Sequence, residues 1–152
     1  VKLHDLKAGA GREDAAGAVV ERLLGLLARG QARRAAGECL DPMQWFGRAV
    51  TRADWAGPRF AQYLADAPLA FRRIRPFPRE LWTVLAEAPE VVFEGAVEAD
   101  DAVYLVDLQR GAAAEVTAGV LVRGTPAGPK VARVFDPAAL KRAAEAAGVD
   151  GE

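Results

Sequence analysis

"AVYLVDLQRGAAAEVTAGVLVR", residues 102–123, alternates apolar and other residues on both sides of a break made of small residues. A three-residue loop at Gly111–Ala113 sets Leu108 opposite Val116, Val106 opposite Ala118, Tyr104 opposite Val120 and Ala102 opposite Val122. Directly opposed residues share a sheet face, so this register gathers a single, almost wholly apolar face. A slip by one residue would send every side chain to the other side. The second face then pairs Asp107 with Thr117, Leu105 with Gly119 and Val103 with Leu121. It is polar at one end and apolar at the other.

Working outward, a two-residue turn at Asp100-Asp101 extends the sheet back through 90–99, with Phe93 opposite Leu108, Gly95 opposite Val106 and Val97 opposite Tyr104. That pairing also sets Glu94 against Asp107, a repulsion for Arg123 or Arg133 to neutralise. "KVARVFD" (130–136) supplies a further strand, with either Val131 and Phe135 or Ala132 and Val134 inward. "FRRIRPF" (71–77) reads as an edge strand, because Pro76 cannot donate to a ladder, although Phe71 and Ile74 depart from alternation. "PRELWTVLAEAP" (78–89) reads as a short helix, with a strand as the alternative. "DPAALKRAAEAAG" (136–148) closes the pattern as a helix capped by Asp136, opened by Pro137 and stopped by Gly148.

Upstream the period is helical. Ala16, Val20, Leu23, Leu24 and Leu27 define one face of a helix over 13–29 that Gly30 ends. A short helix over 31–40 stops at Asp41-Pro42, and "MQWFGRAV" (43–50) is a short strand. In "TRADWAGPRFAQYLAD" (51–66), Thr51 and Asp54 form a capping-box pair. Proline suits the first turn of a helix and not its interior. Gly57 is therefore a cap and Pro58 the start of a helix ending near Asp66. Helices followed by a meander predict an α+β fold: N-terminal helices packed on a curved antiparallel sheet, with a C-terminal helix. Residues 1–12 read as a flexible arm, 13–148 as a single domain and 149–152 as a tail.

Composition limits the function classes. The 152 residues suit one core. A net charge of −1 argues against a nucleic-acid partner. No uncharged run of membrane-spanning length occurs and the first residues lack an apolar signal-like core, so neither a membrane nor export is expected. With Cys39 alone no internal disulfide forms, and a cytoplasmic location is expected. His4 is the only histidine, which argues against a multi-histidine metal centre or a histidine-based nucleophilic site; no cofactor is expected. Gly9-Ala10-Gly11 lacks the strand and the Lys-Ser/Thr of a phosphate loop. Cys39 reads as core, Asp136 as a cap, and Arg72, Arg73 and Arg75 as charges guarding a sheet edge.

"AAGAVVERLLGLLARGQARRAAGECLDP" (15–42), "WAGPRFAQYLADA" (55–67) and the meander over 90–136 resemble the nuclear-transport-factor-like superfamily, which also holds ketosteroid isomerases and polyketide-cyclase-like (SnoaL-like) proteins. The resemblance implies a cone-shaped cavity between helices and sheet. The segment 78–88 and the helix after Asp136 depart from that plan. In ketosteroid-isomerase-like relatives carboxylates and a tyrosine project into the cavity. Here the inner face offers Phe93, Val97, Val106, Leu108, Val116, Val120 and Val122, with Tyr104 as the one polar tip. The expected ligand-binding residues are Tyr104, Trp55, Tyr63, Phe93, Val106 and Val120, with no catalytic group among them. Asp54 and Asp66 are the acids that the helices would deliver if there were one. Trp45, Trp55 and Trp82 are aromatics available to a pocket or core. Relatives pairing sheet to sheet imply a homodimer through Val103, Leu105 and Leu121. The expected function is a non-catalytic small-ligand-binding or scaffold protein. The alternatives are an isomerase, cyclase or dehydratase-type enzyme acting on a hydrophobic small molecule, and a protein-interaction module.

Overall fold

The computed structural model describes residues 15–67, 69–85 and 87–146; the arm at 1–12 and the tail at 149–152 lie outside them. Helix α1 (Ala15–Ala28) buries Val19, Val20, Leu23, Leu24 and Leu27, and Gly30 ends it with φ +72°, the left-handed cap that glycine takes without strain. Helix α2 (Ala32–Ala35) and a tighter turn (Ala36–Glu38) lead into β1 (Cys39–Trp45) and β2 (Arg48–Val50). Asp41-Pro42 therefore lies within a strand and does not end a helix. It falls where the pairing of β1 is irregular, a place in a sheet that tolerates proline. Then come α3 (Arg52–Ala56), α4 (Pro58–Asp66), β3 (Leu69–Phe77), β4 (Ala102–Arg110), β5 (Val116–Thr125), β6 (Gly128–Phe135) and a last helix at Ala138–Ala146. The sheet order is β2-β1-β6-β5-β4-β3, with every neighbouring pair antiparallel except β1 and β6.

The hairpin register read from sequence is the observed one: Ala102, Tyr104, Val106 and Leu108 oppose Val122, Val120, Ala118 and Val116. β3 is an edge strand, as Pro76 requires. Its broken alternation is a bulge, since Phe71 opposes Leu108 and Ile74 opposes Val106, leaving Arg72 and Arg73 together against Asp107. A second bulge resolves the ambiguity of β6. Val122 pairs with Val131 and Leu121 with Arg133, so Ala132 is the extra residue. Val131 and Val134 consequently both face the helices, while Ala132 and Phe135 face away.

Residues 90–99 correct the sequence reading, because they form no strand. Pro89 opens a single helical turn, α5 (Pro89–Val92), which makes the helix at Ala138–Ala146 α6. Glu94 and Gly95 then take φ +59° and +157°, which no ladder accommodates. Among the described residues of 78–88 the helical part is a tight turn over Arg79–Val84. The strand beside β4 is β3, and 79–85 and 87–101 cross the outer face of the sheet. Phe93 and Val97 thus sit on the face opposite to the one expected. Phe93 packs among Phe77, Trp82 and Phe135.

With Leu140 and Ala143 of α6, this segment buries Val103, Leu105 and Leu121, which are 2%, 1% and 0% exposed. They were expected to form an exposed interface patch. The chain's own non-periodic segments cover them instead. Gly119 is integral to this second core: a Cβ there would lie 2.3 Å from the Phe135 ring.

Arginines hold the outer layer. Asp107, buried, accepts from Arg73 Nε (2.6 Å), Arg75 Nη2 (2.8 Å) and the Thr117 hydroxyl (3.2 Å). Arg123 pairs with Asp101 and Glu98, and Arg72 pairs with Glu115. Arg133 donates to the carbonyls of Phe93 (2.9 Å) and Ala96 (2.8 Å). The expected clash of Glu94 with Asp107 does not arise: Glu94 has left the sheet and accepts the Asp136 amide. Among the described residues no helix is long and apolar enough to cross a membrane.

Candidate functional site

The site begins at the capping box. The Thr51 hydroxyl accepts the Asp54 amide (3.2 Å), and the Asp54 carboxylate accepts the Thr51 amide (2.9 Å), so α3 starts where the sequence indicates. Gly57, extended at φ −78° and ψ 157°, ends α3 and caps α4, whose first residue is Pro58. Two short helices result in place of one kinked helix. α3 buries Trp55, and α4 buries Leu64 while Phe60 and Tyr63 remain half-buried. The β1–β2 hairpin turns on Phe46 and Gly47, both at positive φ (+50° and +83°). Such a turn favours Asn or Gly, yet here it holds up an aromatic ring that is 45% exposed.

Between this hairpin and α3–α4 lies an open cavity of about 450 Å³, lined by Trp45, Arg48, Ala49, Val50, Asp54, Arg59, Phe60 and Tyr63. Three of the lining rings are in contact, Phe60 lying 6.5 Å from Trp45 and 5.9 Å from Tyr63; outside the lining, Trp55 is 4.6 Å from Phe60 and Phe46 stands edge-on to Trp45 at 5.6 Å. Arg110 fixes Tyr63 from behind, its guanidinium 3.9 Å from the ring centre and its Nη2 2.9 Å from the Tyr63 carbonyl.

The one carboxylate in the lining is committed. The Thr51 amide, then its hydroxyl, then more weakly the charge of Arg48, hold the Asp54 carboxyl below the usual aspartate range. A carboxylate so stabilised is a poor proton acceptor at neutral pH. Arg48 and Arg59 are exposed and make no ion pair or hydrogen bond with a described residue.

Neither a protein-family model nor a curated protein matches the chain. Solved structures do resemble it. A candidate ketosteroid isomerase from Shewanella frigidimarina matches with a TM-score of 0.54 and 13% identity, over 81% of this chain and 94% of that one. A domain of unknown function with a cystatin-like fold from Nostoc punctiforme matches at 0.51 and 12%, over 85% and 77%. The chain has a cystatin-like fold.

Within this fold, Tyr63 is the one expected ligand residue that lines the cavity. Trp55 is buried behind Phe60. Tyr104, Val106 and Val120 belong to the packed core between helices and sheet, 3%, 1% and 1% exposed, and do not line this cavity. Phe93 is on the far side of the sheet. Asp66 accepts from Gln62 and does not line the cavity.

Sequence reasoning left Trp45 to a pocket or core and missed Arg48 and Arg59. The available signal was "WFGR" (45–48), in which an aromatic-glycine turn places Arg48 one step beyond the tip. Cys39 is core: its thiol donates to the Ala35 carbonyl at 3.6 Å, and burial pushes its pKa up to about 12. No cluster of three metal-binding side chains occurs among the described residues.

Proposed function

We propose that the chain is a non-catalytic binder of a small, largely apolar molecule, held between the β1–β2 hairpin and the α3–α4 pair. The observation that carries this is the open, aromatic-walled cavity of about 450 Å³ whose lining carboxylate already serves as a helix cap. Its volume and its mix of aromatic wall and convergent polar groups are those of a small-molecule site. The likeness in fold to a candidate ketosteroid isomerase does not bring a reaction with it. General acid–base work needs a titratable group near neutral pH at the reacting atom, whereas Asp54 is shifted away from that range.

The test uses phenylnaphthylamine, a neutral dye that brightens in apolar sites. Wild-type protein should bind it, and Ala49→Trp, which fills the cavity from an exposed position, should weaken binding about tenfold. Equal binding by both proteins would move the ligand elsewhere. Turnover of an enolisable ketone that disappears in Asp54→Asn would replace the binder with an enzyme.

A further inference from the structure

We infer that the cavity takes a planar aromatic carboxylate, with its ring on the wall of Trp45, Phe60 and Tyr63 and its anion between Arg48 and Arg59. This rests on the proposed binding function and names the chemistry of the ligand. The place of two arginines supports it. The side chains of Arg48 and Arg59 make no ion pair or hydrogen bond with a described residue, as is also true of the exposed Arg33, Arg34 and Arg142, but these two stand in the cavity lining.

A planar guanidinium fork matches the two oxygens of a carboxylate. An aromatic wall alone would equally suit an organic cation, but two guanidinium groups beside it repel one. Asp54 offsets one of those charges, leaving the lining with one net positive charge, and its carboxylate is engaged by both the Thr51 amide and hydroxyl.

The experiment titrates the full chain with naphthoate, naphthamide and naphthylmethylammonium, which share a ring and differ in charge, using ligand-observed NMR. Naphthoate should bind about tenfold tighter than naphthamide, with the cation weakest. The exposed positions make Arg48→Gln/Arg59→Gln a variant that keeps the fold. It should abolish the preference for naphthoate, bringing its affinity down to that of naphthamide. Raising salt should shrink the same preference, because exposed charges are screened. Equal binding of naphthoate and naphthamide by the wild type would overturn the carboxylate and leave the apolar binder standing. Tightest binding of the cation would also overturn it, and no binding of any of the three would remove both.

Discussion

Against the inner face of the sheet lie α1 and the short helices that follow it, whose buried residues recur at helical spacing and meet Tyr104, Val106, Val120 and Val131. Against the outer face lie a tight turn, one turn of α5, an irregular stretch to Asp101 and the short α6. Both faces are dry. The inner one is sealed by regular elements that bury a stripe, so its stability is spread over many aliphatic contacts. The outer one is sealed by α6 together with a long stretch of chain without a period of its own, and that stretch must satisfy its backbone through side chains. Arg133 and Arg123 reach the carbonyls of Phe93 and Ala96, Arg79 reaches those of Glu98 and Asp101, and the Asp101 carboxylate accepts the Glu98 amide. Covering a sheet with irregular chain makes stability depend on a few polar ties, since a buried carbonyl without a donor is costly.

The largest expected effect follows from placing a charge under that cover. Leu105→Glu would bury a carboxylate among Phe77, Phe93 and Phe135 in the outer core, at a cost of about 4 kcal/mol or more. Urea unfolding should show the midpoint collapse. Had Leu105 lain at an open interface, the isolated chain would tolerate glutamate, so an unchanged midpoint would mean that the outer cover is not formed in solution.

A smaller effect separates the two faces. Arg133→Met keeps an apolar stem but leaves the Phe93 carbonyl without its arginine donor, while Ala96 keeps that of Arg123. The unsatisfied Phe93 carbonyl should cost about 1–3 kcal/mol. The loss should be local: amide hydrogen exchange should quicken over 93–101 and stay slow in α1. Equal quickening on both sides would show that the two cores unfold as one unit.

The same contrast explains what was legible in the sequence. The β4–β5 register could be read because alternation on one buried face admits a single solution, and every expected pair was found. Gly57-Pro58 and Thr51–Asp54 could be read because capping is local chemistry. Residues 90–99 misled because Val91, Val92, Phe93 and Val97 imitate a strand, while what keeps them out of the sheet is partly remote, in Arg123 and Arg133. The β6 bulge was hidden for a similar reason, since either phase of Val131–Phe135 buries two apolar residues. The fold-level resemblance pointed to the cone, but the cavity lies at the hairpin and α3–α4, where arginines carry no periodic signal.

The smallest effect is expected at Pro58, on the side of the helices. Pro58 is the first residue of α4, where its missing N–H would have had no partner within the helix and its fixed φ already fits. Pro58→Ala removes no native hydrogen bond. What it changes is the unfolded chain, which gains freedom worth about 0.4–1 kcal/mol. Thermal unfolding should therefore shift only slightly, with the cavity and its dye binding intact. Gln62→Pro, one turn further into the same helix, should cost about 3 kcal/mol or more, because it removes a backbone donor and clashes with the carbonyl four residues earlier. If the two substitutions cost the same, the helix does not begin at Pro58, and the Gly57 break that separates α3 from α4 would have to be abandoned.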